Sequence, residues 1–147
     1  MNVFRPDNLH RYVESIMKLW LQGNLDAHFF IPERFWRDVY DDVQEAILNA
    51  EITLCEDGGT VVGFAGTQES FLAGLFVRPD CRGKGCGKLL LDEIKKDKSI
   101  LQCRVYVKNE RAVRFYQREK MIVVGETADR ENHDEPEYVM EWRRERI

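Results

Sequence analysis

Apolar and polar positions along the chain recur at two different periods. After the short apolar start Asn2-Val3-Phe4, the residues Leu9, Tyr12, Val13, Ile16, Leu19 and Trp20 return every three or four positions. That spacing predicts an amphipathic helix capped by Asp7 and ending at Gly23. Phe35, Trp36, Val39, Tyr40, Val43, Ile47 and Leu48 form a second helical stripe behind Pro32, a residue that a first helical turn tolerates. From Ile52 the period shortens to that of strands. Residues 52–56 and 60–69 flank Asp57-Gly58-Gly59 and read as a β-hairpin, and a third strand over 70–77 ends before Pro79. Leu89, Leu90 and Ile94 predict a helix over 85–98, followed by a strand over 101–107 and a helix over 110–119. Residues 121–125 and 137–142 are strands around an acidic loop. The order β-α-α-β-β-β-α-β-α-β-β predicts a mixed sheet with helices packed on it, of class α/β or α+β. No repeat or Pro/Gly/Ser-rich linker divides the sequence, so one domain over residues 1–147 is expected.

Composition excludes several partners. The 147 residues are 44% hydrophobic, enough for one core. The longest apolar stretch, 71–77, is far short of the roughly 20 residues that cross a bilayer, and the first residues lack the charged-then-apolar order of a secretion signal. A soluble, cytoplasmic protein with no membrane partner is expected. Acidic residues outnumber basic ones, 26 to 22, for a net charge of −4. Grip on nucleic acid by phosphate neutralisation needs a concentrated basic face, so nucleic acid is disfavoured. Cys55, Cys81, Cys86 and Cys103 form no C-x-x-C pair, and His10, His28 and His133 lie far apart, so reduced thiols and no metal are expected.

One segment carries chemistry. A strand runs into Arg78-Pro79-Asp80-Cys81, and then Gly83, Gly85 and Gly87 open a helix. Glycines let main-chain N–H groups approach an anion, and a helix start adds unpaired donors and a favourable dipole. Arg82, Lys84 and Lys88 bring full positive charges to the same turn, which suits a phosphate. A nucleotide-hydrolysing P-loop fails, because Arg82 stands at the first glycine and Leu89 at the metal-binding hydroxyl. A dinucleotide fingerprint fails too, with Lys88 or Leu90 at its third glycine.

The pattern Arg82-x-x-Gly85-x-Gly87 between strand and helix resembles the pyrophosphate motif of the GNAT superfamily of N-acetyltransferases. The segment 109–121, with Asn109 opening a helix that bears Tyr116, is similar to the second signature of that family. The element order agrees along essentially the whole chain, and residues 28–31, 36–38 and 71–79 resemble the small bacterial YiaC/YjaB type. The resemblance implies a centrally splayed mixed sheet and an acetyl-CoA-dependent transfer to a primary amine in a ternary complex. It implies that the N–H groups of Gly83, Lys84, Gly85, Cys86, Gly87 and Lys88, with Arg82 beside them, hold the pyrophosphate. The edge of Leu75-Phe76-Val77 would pair with the pantetheine amides, Asn109 would contact that arm, and Tyr116 would face the sulfur.

The amine acceptor imposes its own demand. A lysine near pKa 10.4 costs about 4.6 kcal/mol to deprotonate at neutral pH, and an α-amine near 7.8 about 1 kcal/mol. Many relatives carry a glutamate on the strand before the asparagine helix, whereas this chain has Arg104. Glu69, at the end of the hairpin strand, is the substitute candidate, acting through water. His28, Phe29, Trp36 and Phe71 are candidates for the acceptor pocket. The acidic stretch 126–137 would attract cationic amines if it bordered the acceptor mouth. Plain structural readings stand beside these: a flexible glycine turn, Tyr116 as a core aromatic, Glu69 as a solvated carboxylate, and the pocket residues as packing. A non-catalytic acyl-CoA sensor of the same fold is the alternative function. The acceptor, a small molecule or a protein lysine, and the choice of monomer or homodimer stay open.

Overall fold

The strand-period runs pair into one seven-stranded sheet of order β1-β2-β3-β4-β5-β7-β6 in the computed structural model, which describes residues 1–145. The strands are β1 (Asn2–Phe4), β2 (Glu51–Asp57), β3 (Thr60–Gln68), β4 (Phe71–Val77), β5 (Ile100–Tyr106), β6 (Ile122–Asp129) and β7 (Glu135–Arg143). All neighbours are antiparallel except β4 and β5. The helices are α1 (Val13–Ala27), α2 (Glu33–Asp38), α3 (Tyr40–Leu48), α4 (Cys86–Lys95) and α5 (Glu110–Arg118). No helix among the described residues is long and apolar enough to cross a membrane.

Strand alternation sorts the side chains into two cores. Leu101, Cys103 and Val105 of β5 join Leu90, Leu91, Ile94 and Tyr116 from α4 and α5. Leu54 and Phe64 join Ile16, Met17 and Trp20 of α1 with Trp36 and Ile47 of α2 and α3. The sheet is therefore covered on both faces, as a mixed α/β layer requires.

Three expected elements differ. The first helix begins as a 3-10 turn over Leu9–Tyr12 without a side-chain cap, and it runs through Gly23 to Ala27. Gly23 is a packing glycine here: a Cβ would lie 2.5 Å from the Phe76 ring of β4. The second helix is interrupted at Val39, and both Trp36 and Tyr40 meet Trp20 edge-on at 6.0 Å. The acidic loop is mostly hairpin, since β6 extends to Asp129 and β7 starts at Glu135.

The close of α5 is strained. Lys120 takes φ 73°, its N–H bonds the Gln117 carbonyl at 3.1 Å, and the Met121 N–H bonds the Tyr116 carbonyl at 2.9 Å. This is the paired-bond helix stop that favours glycine at the left-handed position. Lys120→Gly is expected to stabilise the fold by about 1 kcal/mol, raising Tm by about 2–4 °C in a thermal melt.

Candidate functional site

The site lies where β4 leaves β5. The two strands pair only at Phe71↔Gln102 and Leu72↔Cys103. At the next step the β3–β4 register shifts, with Thr67 opposite Leu72 and Gly66 opposite Gly74, so Ala73 is an extra residue in β4. A bulge bends its strand, and this one turns β4 away at the point where parallel pairing stops. The β5-facing edge of Leu75, Phe76 and Val77 is left without a strand partner. A cleft of about 1090 Å³ opens there, walled by α1, β4, the 82–88 turn, α5 and the ends of β5 and β7.

The turn before α4 presents its donors. Gly83 and Gly85 adopt φ 76° and 91°, and a Cβ placed on either would meet no atom within 4 Å. Among the described residues, none of the N–H groups from Gly83 to Lys88 donates to a main-chain carbonyl, and Leu89 is the first to do so, to Gly85 at 3.0 Å. Gly87 serves packing instead, since a Cβ there would come within 2.9 Å of the Phe115 ring, and its absence lets α4 and α5 approach. Cys86 is buried, a Cβ on Gly63 of β3 would sit 2.7 Å from its sulfur, and burial pushes its thiol above the usual range. It offers the cleft only backbone.

The charges around this turn differ from expectation. Arg82 pairs with Asp26 of α1 at 2.7 Å, and Lys88 pairs with the nearly buried Glu119 at 3.2 Å. Lys84 does not line the cleft. Cations come instead from α5, where Arg111, Arg114 and Arg118 line the same cleft. The donors at the turn are thus mainly backbone N–H groups, held in place by ion pairs to either side.

Tyr116 projects from α5 into the apolar core and lines the cleft at 8% exposure. Its hydroxyl makes no hydrogen bond with another described side chain, and burial raises its pKa, so it stays protonated at neutral pH. Asn109 caps α5, accepting the Ala112 N–H at 3.4 Å, and donates toward the His28 ring at 3.1 Å.

The remaining candidates divide. His28, Phe29, Trp36 and Phe71 all line the cleft, Phe29 as an exposed rim residue at 83%. Trp36 is buried, with an indole N–H that has no partner among the described residues. Glu69 does not reach the site. It is exposed in the β3–β4 turn at φ 55°, one step beyond the strand end, and it does not line the cleft. Four carboxylates do line the cleft: Asp26, Glu110 and Glu119 are held in ion pairs with Arg82, Arg114 and Lys88, and Glu137 stands opposite Tyr106 in the β5–β7 register and opposite Thr127 in β6. Burial and the Asp129 charge raise the pKa of Glu137, and Arg104 opposes them. The Tyr106 hydroxyl is held by Asp129 at 2.5 Å.

Known proteins resemble this chain in sequence and in fold. Residues 49–119 match the acetyltransferase (GNAT) domain. The chain is 34% identical over 130 residues to peptidyl-lysine N-acetyltransferase YiaC of Escherichia coli K12, covering 87% of this chain and 88% of that protein. The chain belongs to the GNAT family of acetyltransferases. The solution structure of apo YjaB from Escherichia coli overlays it with a TM-score of 0.82 at 23% identity, over 97% of this chain and 98% of that one. The PaiA N-acetyltransferase of Thermoplasma acidophilum, solved with coenzyme A, shares the fold with a TM-score of 0.77 at 18% identity, over 98% and 100% of the two chains.

Two features of the acetyltransferase escaped sequence reasoning yet left a signal. Arg111, Arg114 and Arg118 fall at helical spacing and share one face of α5. Asn24 and His28 stand four apart at the end of α1, where side chains meet, and their contact is 2.9 Å. Glu137 stands where the acidic stretch 126–137 meets the strand over 137–142, and nothing in the sequence distinguishes it from its acidic neighbours.

Proposed function

We propose that the protein transfers the acetyl group of acetyl-CoA directly to a primary amine, a peptidyl lysine foremost, in a ternary complex. The observation that carries this reading is the row of unpaired N–H groups from Gly83 to Lys88, lying beside the unpaired edge of β4. That pairing of features fits a diphosphate followed by an amide-bearing arm added as an extra strand. Acetyl-CoA supplies the activated acyl group. The names of its relatives, peptidyl-lysine N-acetyltransferases, support lysine as acceptor, and so does the exposed Phe29 at the rim, which suits a peptide surface.

Glu137 is the base in this proposal. The lysine ammonium first loses one proton to solvent; as the neutral amine forms the N–C bond and the C–S bond breaks, the carboxylate accepts the second amine proton and Tyr116 gives its proton to sulfur, and solvent then restores both groups. Burial and Asp129 raise the pKa of Glu137, and the Arg104 charge opposes them by favouring the ionised carboxylate. Activity that needs the ionised form falls as pH drops through a pKa above the ordinary carboxylate value. Glu137→Gln is expected to lower kcat/KM about tenfold or more for a lysine peptide and to remove that acid limb, with coenzyme A affinity unchanged. A rate–pH profile of both proteins checks it, and an identical limb in the variant would remove Glu137 from the proton path.

The activity itself is tested by release of free thiol from acetyl-CoA with lysine peptides, peptide N-termini and small amines. Turnover restricted to small amines would refute the lysine reading. Tight binding of acetyl-CoA without turnover on any amine would refute catalysis.

A further inference from the structure

His28 follows the last residue of α1 and meets an asparagine at each ring nitrogen. Nδ1 lies 2.9 Å from Asn24 Oδ1, and Nε2 lies 3.1 Å from Asn109 Nδ2. The groups at the two ends set the direction of every bond. A main-chain carbonyl only accepts, and Asn24 Nδ2 donates to the Trp20 carbonyl at 2.9 Å, so Asn24 turns its oxygen to the ring. A main-chain N–H only donates, and the Ala112 N–H bonds Asn109 Oδ1 at 3.4 Å, so Asn109 turns its amino group to the ring. The imidazole therefore carries its proton on Nδ1 and accepts at a bare Nε2.

We propose that His28 is a positioning residue that ties Asn109, the cap of α5, to Asn24 of α1 and so fixes the first turn of the helix bearing Tyr116. Only the kinetic consequence rests on the acetyltransferase reading. One N–H of Asn109 is spent on the ring and its oxygen on α5, which leaves a single oriented N–H for the cofactor arm. Protonating Nε2 would set donor against donor, and burial also disfavours the cation, lowering the pKa to about 4.

The neighbours do not oppose this. Trp36 of α2, Phe30 and Tyr106 of β5 pack against the ring. The Tyr106 hydroxyl is held by Asp129 of β6, Lys108 is paired with Glu135 of β7, and Asp26 of α1 is paired with Arg82. His28 is thus neither a base nor an acceptor ligand, although it lines the cleft.

Imidazole nitrogen NMR on the full chain, free and with coenzyme A, reads the tautomer directly. The expected result is Nδ1 protonated and Nε2 bare from about pH 5 to 8. Asn109→Asp replaces the donor facing Nε2 with an acceptor, and the His28 pKa is expected to rise from about 4 to above its ordinary value of about 6.5. His28→Gln, which keeps a donor and an acceptor, should hold kcat within about threefold, whereas His28→Leu should lower it about tenfold with the lysine-peptide KM within about twofold. A proton on Nε2, a His28 pKa unmoved by Asn109→Asp, or wild-type kcat in His28→Leu would each overturn the proposal. If the wild-type protein acetylates no amine, the catalytic reading fails alone, and the nitrogen shifts still decide the hydrogen-bond chain.

Discussion

Gly85→Glu is expected to abolish coenzyme A binding while leaving the protein folded. The two halves of that statement have separate causes. Gly85 holds φ 91°, and no atom lies within 4 Å of the position a Cβ would take, so the new side chain meets strain but no collision. Left-handed backbone costs an ordinary residue about 1–2 kcal/mol, less than the stability of most domains of this size. Its carboxylate, however, would stand at the start of α4 among the free N–H groups proposed to receive a diphosphate. Two unit charges about 4 Å apart repel by about 4 kcal/mol at an effective dielectric near 20, which is roughly a thousandfold in affinity for each phosphate charge met at that distance. Calorimetric titration with coenzyme A measures the loss, and a melt without ligand checks the fold. Normal affinity in the folded variant would contradict the assignment of this turn.

What could be read from the chain, and what could not, divides by the range of the interactions. Periodicity located every strand, and every helix but for reading α2 and α3 as one, because burial of one face is written locally, in spacings of two or of three and four. The end of α1 escaped because Gly23 looks like a stop signal, and the Phe76 ring that explains it lies 53 positions further on. The acidic hairpin was read too short because a strand whose outer face is solvated carries the charges of a loop, so Asp129 at the end of β6 and Glu135 at the start of β7 fell in the expected loop. The glycine turn was visible as a source of backbone donors, but the ion pairs that occupy Arg82 and Lys88 join residues 56 and 31 positions apart. Glu69 failed on backbone geometry: a strand-end residue and a left-handed turn residue look alike until the hairpin register is known.

The same division explains why the charges and the ring nearest the turn are already engaged. Arg82, Lys88 and the His28 ring each hold two elements together, α1 to the turn, α4 to α5 and α1 to α5. These contacts brace the walls around a bent strand whose own partner is missing. A cleft made by parting a sheet loses backbone pairing, and the cross-links from side chains offset part of that loss.

Tyr116→Phe should lower kcat by tenfold or more while coenzyme A affinity and Tm stay nearly unchanged. The side chain is packed among Leu90, Cys103 and Val105, and phenylalanine keeps all of that contact. The hydroxyl bonds no other described side chain, so its removal leaves no buried partner unsatisfied and costs the fold little. Its effect is confined to what enters the cleft. In the proposed reaction a departing thiolate gains negative charge as the C–S bond breaks, and a neutral O–H donated to it from an apolar wall would stabilise that charge more than water does. Loss of one such donor typically costs about 10²–10³ in turnover, so tenfold is a lower bound. Burial raises the Tyr116 pKa above about 10, the ordinary phenol value, so the protonated form persists as pH rises and no alkaline limb from this group should appear below about pH 10. Steady-state rates across pH for both proteins, with a calorimetric titration of coenzyme A, measure each part. Equal turnover in the variant would remove Tyr116 from the mechanism, and a comparable loss in affinity would make it a binding residue instead.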